Sequence, residues 1–209
     1  MDLARFNSMF VESALVFSRA DTLGDDWEGA VPAGSRRNAG WSSDLDESVA
    51  ALARQRPGHR HVSCWHAQEY ESTVMWNAYG HQGVAVRTDI EKLETALVGQ
   101  ADIALVSYID FSHPDEYSPT IDDYLYKKRR EFGAEREVRA VLSSPMTGAD
   151  LARPPAVRKI DVDIASLVTE VVVSPFSPPW HRAMIQGLLK RLRAEVPVRQ
   201  SALSAPPTY

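Results

Sequence analysis

The chain has a single cysteine, Cys64, among its 209 residues, and this scarcity excludes an internal disulfide framework. A chain without disulfides is typical of a reducing compartment, so we expect the protein to work in the cytoplasm. Apolar runs are short, and none approaches the roughly 20 residues that a membrane helix needs. The first ten residues also lack the basic-then-apolar order of a signal peptide. The sequence therefore predicts no association with a membrane.

The chain also lacks net positive charge. It contains 23 Lys and Arg against 28 Asp and Glu, and its formal net charge is −5. This balance argues against a protein that coats nucleic acid non-specifically. Glycine-rich loops of the Walker or dinucleotide-binding type are missing, as is the G-x-S-x-G motif of a nucleophilic serine. Cys64 and the nearby histidines lack the spacing of zinc ligands, so we predict no metal site and expect Cys64 to be a small buried residue.

The composition is that of a globular chain, with 44% hydrophobic and 24% charged residues. Short strands mixed with amphipathic helices, without repeats or a linker, predict one α+β domain over residues 1–201, with mixed twisted sheets and flanking helices. Residues Leu167–Ser201 fit a β-α-β unit whose strands we expect to be parallel. The tail, residues 202–209, is predicted to be disordered.

Several local predictions bear on a possible site. The acidic group Asp25, Asp26 and Glu28 lies in a long loop and is expected to be solvated. The helices are expected at Asp2–Ser13, Ser43–Gln55, Glu71–Tyr79, Asp89–Gly99, Ile121–Phe132 and after Pro179. The basic run Lys127–Arg130 would then be a solvated helix face, followed by the strand Glu135–Ser143. Ile103–Ile109 reads as one strand and His113–Pro119 as a loop.

The predicted helix Glu71–Tyr79 has an unusual stripe. Helical spacing puts these side chains on one face: Glu71, Ser72, Met75, Trp76 and Tyr79. Burying a carboxylate without a partner would cost several kcal/mol. Either this face borders a cleft or Glu71 is paired inside the core, and the sequence leaves both interpretations open.

A second unusual pattern lies on the predicted strand after Gly133. Side chains alternate between the two faces of a strand, so Glu135, Glu137 and Arg139 share one face. Two carboxylates at alternate positions repel each other, and Arg139 offsets part of that repulsion. A solvent-facing sheet edge would explain the pattern, but such faces usually mix Lys, Thr and Ser.

These residues resemble a family of uncharacterised bacterial proteins, the domain of unknown function 2971 family. The resemblance rests on Leu15–Ser18, Ser63–His66, Glu71-Ser72, Met75-Trp76, Tyr79, Gly83–Val86, Lys128-Arg129, Phe132, Glu135, Glu137, Arg139, Val173–Pro175 and Trp180. Members often begin with a further short strand ahead of the segment equivalent to Met1–Phe6.

The order of elements also has a looser similarity to the ADP-ribosyltransferase layout, and Glu135-Arg136-Glu137 is similar to the Glu-x-Glu element of some such enzymes. This likeness implies a split sheet, NAD as a nucleotide-type substrate, an unknown acceptor macromolecule and a toxin or defence role. It implies catalytic Glu137 at the ribose, with Glu135 orienting the acceptor. The implied cofactor contacts are Arg129 or Arg139 on the pyrophosphate, Trp76 or Tyr79 on nicotinamide, and Glu71 and Ser72.

Two alternatives stay open. In a nuclease or phosphoesterase, Mg²⁺ would be held by Asp25, Asp26, Glu28, Glu135 and Glu137. Such a strand usually ends in a Lys where this chain has Arg139, and arginine is a poor base. The other alternative is a non-enzymatic module that binds a nucleotide or a partner protein through the basic run.

Overall fold

The structure, a computed structural model, describes residues 1–30, 47–48, 51, 56–112, 121–143 and 152–207. Helices and mixed sheets make up these ranges, so the predicted α+β class is confirmed. The helices are α1 (Leu3–Glu12), α2 (Thr73–Tyr79), α3 (Ile90–Ala96), α4 (Ile164–Leu167) and α5 (His181–Arg191). The strands are β1 (Ala14–Arg19), β2 (His61–His66), β3 (Val84–Arg87), β4 (Ala101–Leu105), β5 (Ser107–Ile109), β6 (Lys127–Arg129), β7 (Glu137–Leu142), β8 (Val157–Asp161), β9 (Glu170–Val173) and β10 (Val198–Gln200).

The chain forms two compact units, each built from separate stretches of sequence. The first unit comprises Met1–Leu15, Gln68–Val98 and Lys159–Tyr209, and the second comprises Val16–Ala67 and Gly99–Arg158. None of the helices in the described ranges has the length and apolar content needed to span a bilayer.

The first unit is organised around β9, the middle strand of a sheet ordered β10-β9-β3. Strand β10 runs parallel to β9, with Val198 opposite Val171, and β3 runs antiparallel to it. Val171 and Val173 have no exposed surface, as expected of a strand covered on both faces. Helix α5 joins β9 to β10 and buries Ile185 and Leu189. The predicted parallel β-α-β unit is therefore confirmed.

The second unit places β7 in the interior of a sheet ordered β4-β7-β2-β1-β8. Strand β7 pairs antiparallel with both β4 and β2, and Cys64 and His66 of β2 lie opposite Arg139 and Glu137. A separate parallel pair joins β5 to β6, with Ile109 opposite Arg129. The polar face of β7 is buried, because Glu137 and Arg139 are 4% and 0% exposed. The alternative explanation of the pattern, a solvent-facing sheet edge, is therefore excluded.

The largest error in the predicted secondary structure concerns residues 121–135. The expected helix Ile121–Phe132 is wrong: Ile121–Tyr126 form a 3-10 helix, β6 follows, and Arg130–Glu135 form another 3-10 helix. The backbone of the basic run pairs with β5 instead of continuing a helix. Tertiary pairing outweighs local helix propensity here, since propensity differences are below about 1 kcal/mol per residue.

Smaller corrections follow from the packing. The predicted strand Ile103–Ile109 is broken at Val106, whose N–H donates to the Glu137 carbonyl, so β4 and β5 join different sheets. Ile90 and Trp180, which helical spacing would place on the apolar faces of the predicted helices at Asp89–Gly99 and after Pro179, are 48% and 60% exposed. Residues 202–204 form a 3-10 turn within the stretch predicted to be a disordered tail. Most of Ser43–Gln55 and all of His113–Pro119 lie outside the described residues.

Gly83 is the glycine of the first unit that is most restricted by its surroundings. A Cβ at this position would lie 2.0 Å from the Met1 carbonyl oxygen, which accepts the Val84 N–H at 3.0 Å. We expect Gly83→Ala to lower the free energy of unfolding by about 1–3 kcal/mol, because backbone must move to admit the methyl group. Denaturant titration measures the change.

The matched control is Gly187→Ala in α5, where a Cβ would meet no atom within 4 Å. That substitution should stabilise the protein by about 0.5–1 kcal/mol, because alanine favours the helix interior. A Gly83→Ala protein as stable as the wild type would contradict the close approach of Met1.

Candidate functional site

Five charged side chains of the second unit form a buried ionic cluster: Glu28, Lys128, Glu135, Glu137 and Arg139. They come from the turn after β1, from β6, from the end of the second 3-10 helix and from β7. Except for Glu135, each of these residues is at most 7% exposed. Segments far apart in sequence therefore converge to pair carboxylates with cations.

Arg139 is enclosed by acceptors on both sides. Its Nε and Nη2 donate to the two carboxylate oxygens of Glu137 at 2.7 and 3.0 Å. Its Nη1 donates to Glu28 Oε2 at 2.8 Å and to the Leu125 carbonyl at 2.5 Å. The two-pronged contact with Glu137 is the strongest geometry available to an arginine. With no exposed surface, Arg139 holds Glu137 and offers nothing to a pyrophosphate.

Lys128 lies among three carboxylates. Its Nζ is 2.6 Å from Glu135 Oε2, 3.3 Å from Glu28 Oε1 and 3.4 Å from Glu137 Oε2. The same ammonium is 4.9 Å from the centre of the Phe132 ring, close enough for a cation–π contact. The expectation of a solvated basic run is therefore wrong for Lys128, which is 7% exposed.

The cluster holds three carboxylates and two cations, so its formal charge is −1. Burial opposes ionisation of Glu137, but the hydrogen bonds and charge of Arg139 outweigh it and lower the pKa of Glu137. Burial also opposes the charge on Lys128, yet Glu135, Glu137 and Glu28 raise the pKa of this lysine above its usual value. Glu137 is thus ionised and Lys128 protonated at neutral pH.

Glu135 is the cluster member closest to solvent, with 15% of its side chain exposed. It does not lie on β7, contrary to the prediction, because Arg136 adopts a left-handed backbone (φ 40°) between the 3-10 helix and the strand. His66 Nδ1 contacts the Glu135 carbonyl oxygen. A carbonyl only accepts, so this hydrogen bond places a proton on His66 Nδ1.

A second ion pair in this unit joins Arg129 to Asp25. Arg129 Nε lies 3.1 Å from Asp25 Oδ2, and Nη2 lies 2.8 Å from Oδ1. The Trp27 N–H donates to the same Oδ1 at 3.2 Å. Asp25 is 4% exposed, whereas 39% of the Arg129 side chain is exposed. Arg129 is thus a predicted ligand contact that is both anchored and accessible.

The remaining predicted contacts lie in the first unit, where Glu71 connects α2 to the C-terminal strand. Glu71 Oε1 accepts from Arg199 Nη1 at 2.7 Å and from the Ala202 N–H at 3.0 Å. Its Oε2 accepts from Ser201 Oγ at 2.5 Å and from Trp76 Nε1 at 3.1 Å. Of the two interpretations left open by the sequence, pairing within the protein is therefore confirmed.

The predicted stripe of α2 is only partly correct. Glu71 and Ser72 precede the helix, and Ser72 is its N-cap, with Oγ accepting from the Met75 N–H at 3.3 Å. Trp76 is 6% exposed and packs in the core, whereas Tyr79 is 56% exposed. Counting Glu71 and Ser72 as helical produced the stripe. The structure therefore brings Glu135, Glu137 and Arg139 together in one unit and leaves Glu71, Ser72, Trp76 and Tyr79 in the other.

Replacing Glu71 with glutamine should weaken these contacts. Partial burial opposes ionisation of Glu71, but the hydrogen bonds, from Ser201 and Arg199 above all, lower its pKa. A group whose folded pKa is lowered stabilises the fold above its unfolded pKa of about 4.3 and loses this contribution as the pH falls. We expect Glu71→Gln to cost about 1–2 kcal/mol at pH 7 and less at pH 4.

Urea unfolding at both pH values measures the effect, and Glu94→Gln on exposed α3 surface is the control. The control should stay within about 0.5 kcal/mol of the wild type. A Glu71→Gln penalty that grows toward pH 4 would contradict the assigned pKa direction.

The described part of the chain contains no group of three His, Cys, Asp or Glu side chains that could hold a metal ion. The carboxylates of the ionic cluster are paired with Lys128 and Arg139 instead. Cys64 is exposed, contrary to the prediction. Desolvation of the thiol, together with the Glu137 charge, raises the pKa of Cys64. A raised pKa disfavours the thiolate that a nucleophile requires.

The ADP-ribosyltransferase interpretation of the sequence gave no role to three residues of these ion pairs: Lys128, Glu28 and Asp25. The Mg²⁺ alternative did group Asp25 and Glu28 with Glu135 and Glu137, but as metal ligands. The predicted solvated acidic loop is wrong for Glu28 and Asp25, which are 6% and 4% exposed. The available signal was the complementarity between an acidic group at residues 25–28 and a basic run at 127–130. Lys128 and Arg129 alternate on β6, so one reaches Glu28 and the other reaches Asp25.

Comparisons of the chain with protein-family models, curated proteins and solved structures find no match. Membership of the family suggested by the sequence therefore stays a prediction.

Proposed function

We propose that the second unit binds NAD and transfers ADP-ribose to an acceptor macromolecule, in the manner of the ADP-ribosyltransferases. The single observation behind the proposal is the excess carboxylate of the ionic cluster, where three carboxylates share two cations. An enclosed negative charge stabilises positive charge that develops on a bound substrate. The biological setting we propose is the cytoplasm, with a toxin or defence role.

Transfer of ADP-ribose requires a negative charge near the ribose. The bond between the ribose C1′ and the nicotinamide nitrogen breaks, and its electron pair leaves with nicotinamide. The ribose becomes oxocarbenium-like, and a nucleophile on the acceptor then bonds to C1′ and loses its proton. A carboxylate beside the ribose stabilises that cation, as in glycoside hydrolysis.

We base the proposed role of each cluster residue on the exposed fraction of its side chain. Glu135 has the most exposed side chain of the five, so the proposal places it at the ribose. Glu137, which the resemblance would place there, is 4% exposed and is held by Arg139. It therefore acts as a positioning residue that keeps Lys128 and Arg139 in place. Arg129, exposed and fixed by Asp25, takes the pyrophosphate.

The test is release of nicotinamide from NAD, followed by chromatography, for the wild type and Glu135→Gln. We expect the substitution to reduce turnover by about 10²-fold or more, because it removes the charge and keeps the shape. The melting temperature should change little, since Glu135 is at the edge of the cluster.

Glu131→Gln is the matched control, because 67% of that side chain is exposed and the residue lies in the same 3-10 helix. It should keep wild-type turnover. If the wild type neither binds nor cleaves NAD, the proposal is wrong and a non-enzymatic binding module becomes the better explanation. If Glu131→Gln and Glu135→Gln lose equal activity, the cluster has no special role.

A further inference from the structure

The second unit carries a pair of aromatic rings, exposed Trp27 and partly buried Phe111, beside the Arg129–Asp25 ion pair. The rings of Trp27 and Phe111 have centroids 5.2 Å apart and are tilted by 59°. Trp27 is 44% exposed, and its backbone N–H is bonded to the Asp25 carboxylate that holds Arg129. Phe111 follows β5, in which Ile109 lies opposite Arg129. An aromatic surface and an anchored guanidinium are therefore neighbours.

Next to this pair, a second arginine is held by a single contact with an aspartate carboxylate. Arg130 Nη1 lies 3.1 Å from Asp110 Oδ2, and 65% of the Arg130 side chain is exposed. The other oxygen of Asp110 accepts from the Ser112 N–H and hydroxyl at 3.0 and 2.6 Å. Asp25 thus fixes Arg129 through two nitrogens, and Asp110 holds Arg130 through one. Arg129 uses Nε and Nη2 for Asp25, which leaves Nη1 for another anion.

We infer that Trp27 and Phe111 stack against the heterocyclic base of a nucleotide whose phosphate binds Arg129. This inference deepens the proposed function and rests on it for the identity of the whole ligand. An exposed indole offers a flat apolar face to a base, and base–aromatic stacking does not depend on the base's hydrogen-bonding edge. The remaining Nη1 of Arg129 can donate a charge-assisted hydrogen bond to a phosphate oxygen.

The surrounding charge favours a small nucleotide over a nucleic acid. Asp26 and Glu131 are exposed near the two arginines, and each arginine is already paired with an aspartate. A polyanion would gain little from such a neutralised surface, especially on a chain with a net charge of −5. A ligand with one base and one or two phosphates matches the one aromatic pair and the two arginines at this surface.

The experiment is isothermal titration calorimetry with ADP, which has no nicotinamide bond to cleave, and with adenosine. Trp27→Ala should weaken ADP binding about tenfold or more, while Trp27→Phe should retain most of it because a ring remains. Arg129→Lys should weaken ADP but not adenosine, since an ammonium that stays paired with Asp25 has no second nitrogen to donate to the phosphate. Trp180→Ala, at a tryptophan 60% exposed in the other unit, is the control and should bind ADP normally.

Wild-type protein that fails to bind ADP at millimolar concentration would overturn the inference, and so would a Trp27→Ala variant that binds like the wild type. Tighter binding of a ten-residue oligothymidine than of ADP, falling steeply with salt, would overturn it in favour of nucleic acid. If ADP binding depends on Trp27 but NAD is not cleaved, the inference holds and the proposed function fails. If NAD is cleaved at the wild-type rate by Trp27→Ala, the proposed function holds and the inference fails.

Discussion

Arg139→Met is expected to lower the free energy of unfolding by about 3–5 kcal/mol, because it leaves buried carboxylates without their partner. Glu137 would lose both hydrogen bonds from the guanidinium, and Glu28 would lose the bond at 2.8 Å. The Leu125 carbonyl would also lose a donor. Methionine keeps the apolar part of the side chain and removes the guanidinium, so the electrostatic loss dominates. Guanidinium titration at pH 7 measures the difference.

The control is Arg130→Met, since Arg130 also pairs with an aspartate but its side chain is 65% exposed. A surface ion pair contributes about 0–1 kcal/mol, so this variant should remain close to the wild type. The double variant Arg139→Met with Glu137→Met should be more stable than Arg139→Met alone, because it removes one stranded charge. Equal losses from Arg139→Met and Arg130→Met would show that the cluster is not buried in solution.

Lys128→Met should destabilise the protein by a similar amount, about 3–5 kcal/mol at pH 7. Three carboxylates lie within 3.4 Å of its Nζ, and only Arg139 would remain to neutralise them. The formal charge of the cluster would change from −1 to −2. Protonation would relieve part of this repulsion, so the penalty should shrink as the pH is lowered from 7 toward 5. Thermal unfolding at several pH values follows both effects.

The adjacent residue provides the control for this prediction. Lys127 is half-buried and its ammonium lies 4.8 Å from the centre of the Tyr124 ring, outside the cluster. Lys127→Met should cost about 1 kcal/mol or less at every pH. A Lys128→Met penalty that does not depend on pH would argue against stranded carboxylates as its cause.

How far the sequence predicts this fold depends on the range of the interactions involved. The β-α-β unit from β9 to β10 follows from local patterns, because Val171–Val173 is a buried apolar run and α5 buries Ile185 and Leu189. Strand β7 and the shared face of Glu137 and Arg139 follow from alternation. Such features need only a few neighbouring residues to be recognised.

The candidate site depends on pairing over long distances, and here local patterns mislead. Residues 127–129 look helical, yet they form a strand because β5 lies beside them. The sequence around Asp25 and Glu28 predicts a solvated loop. Both residues are nevertheless buried, because they pair with arginines about a hundred residues away in the chain. Hydrophobic periodicity does not show which charged side chains form ion pairs in the folded protein. Matching the acidic group with the basic run would have been a better guide than treating each alone.

The segmented construction of the first unit has a consequence for its biogenesis. Strand β3 can form its ladder only after β9 has been synthesised, when Arg87 comes to lie opposite Glu170. During synthesis, Val84–Arg87 leaves the ribosome first and stays unpaired until Glu170–Val173 has been made. Loop-closure entropy over such distances slows folding, and an exposed apolar edge invites association with other chains. Expression yield should therefore depend on translation speed and chaperone supply between those two strands more than on the stability of the finished protein.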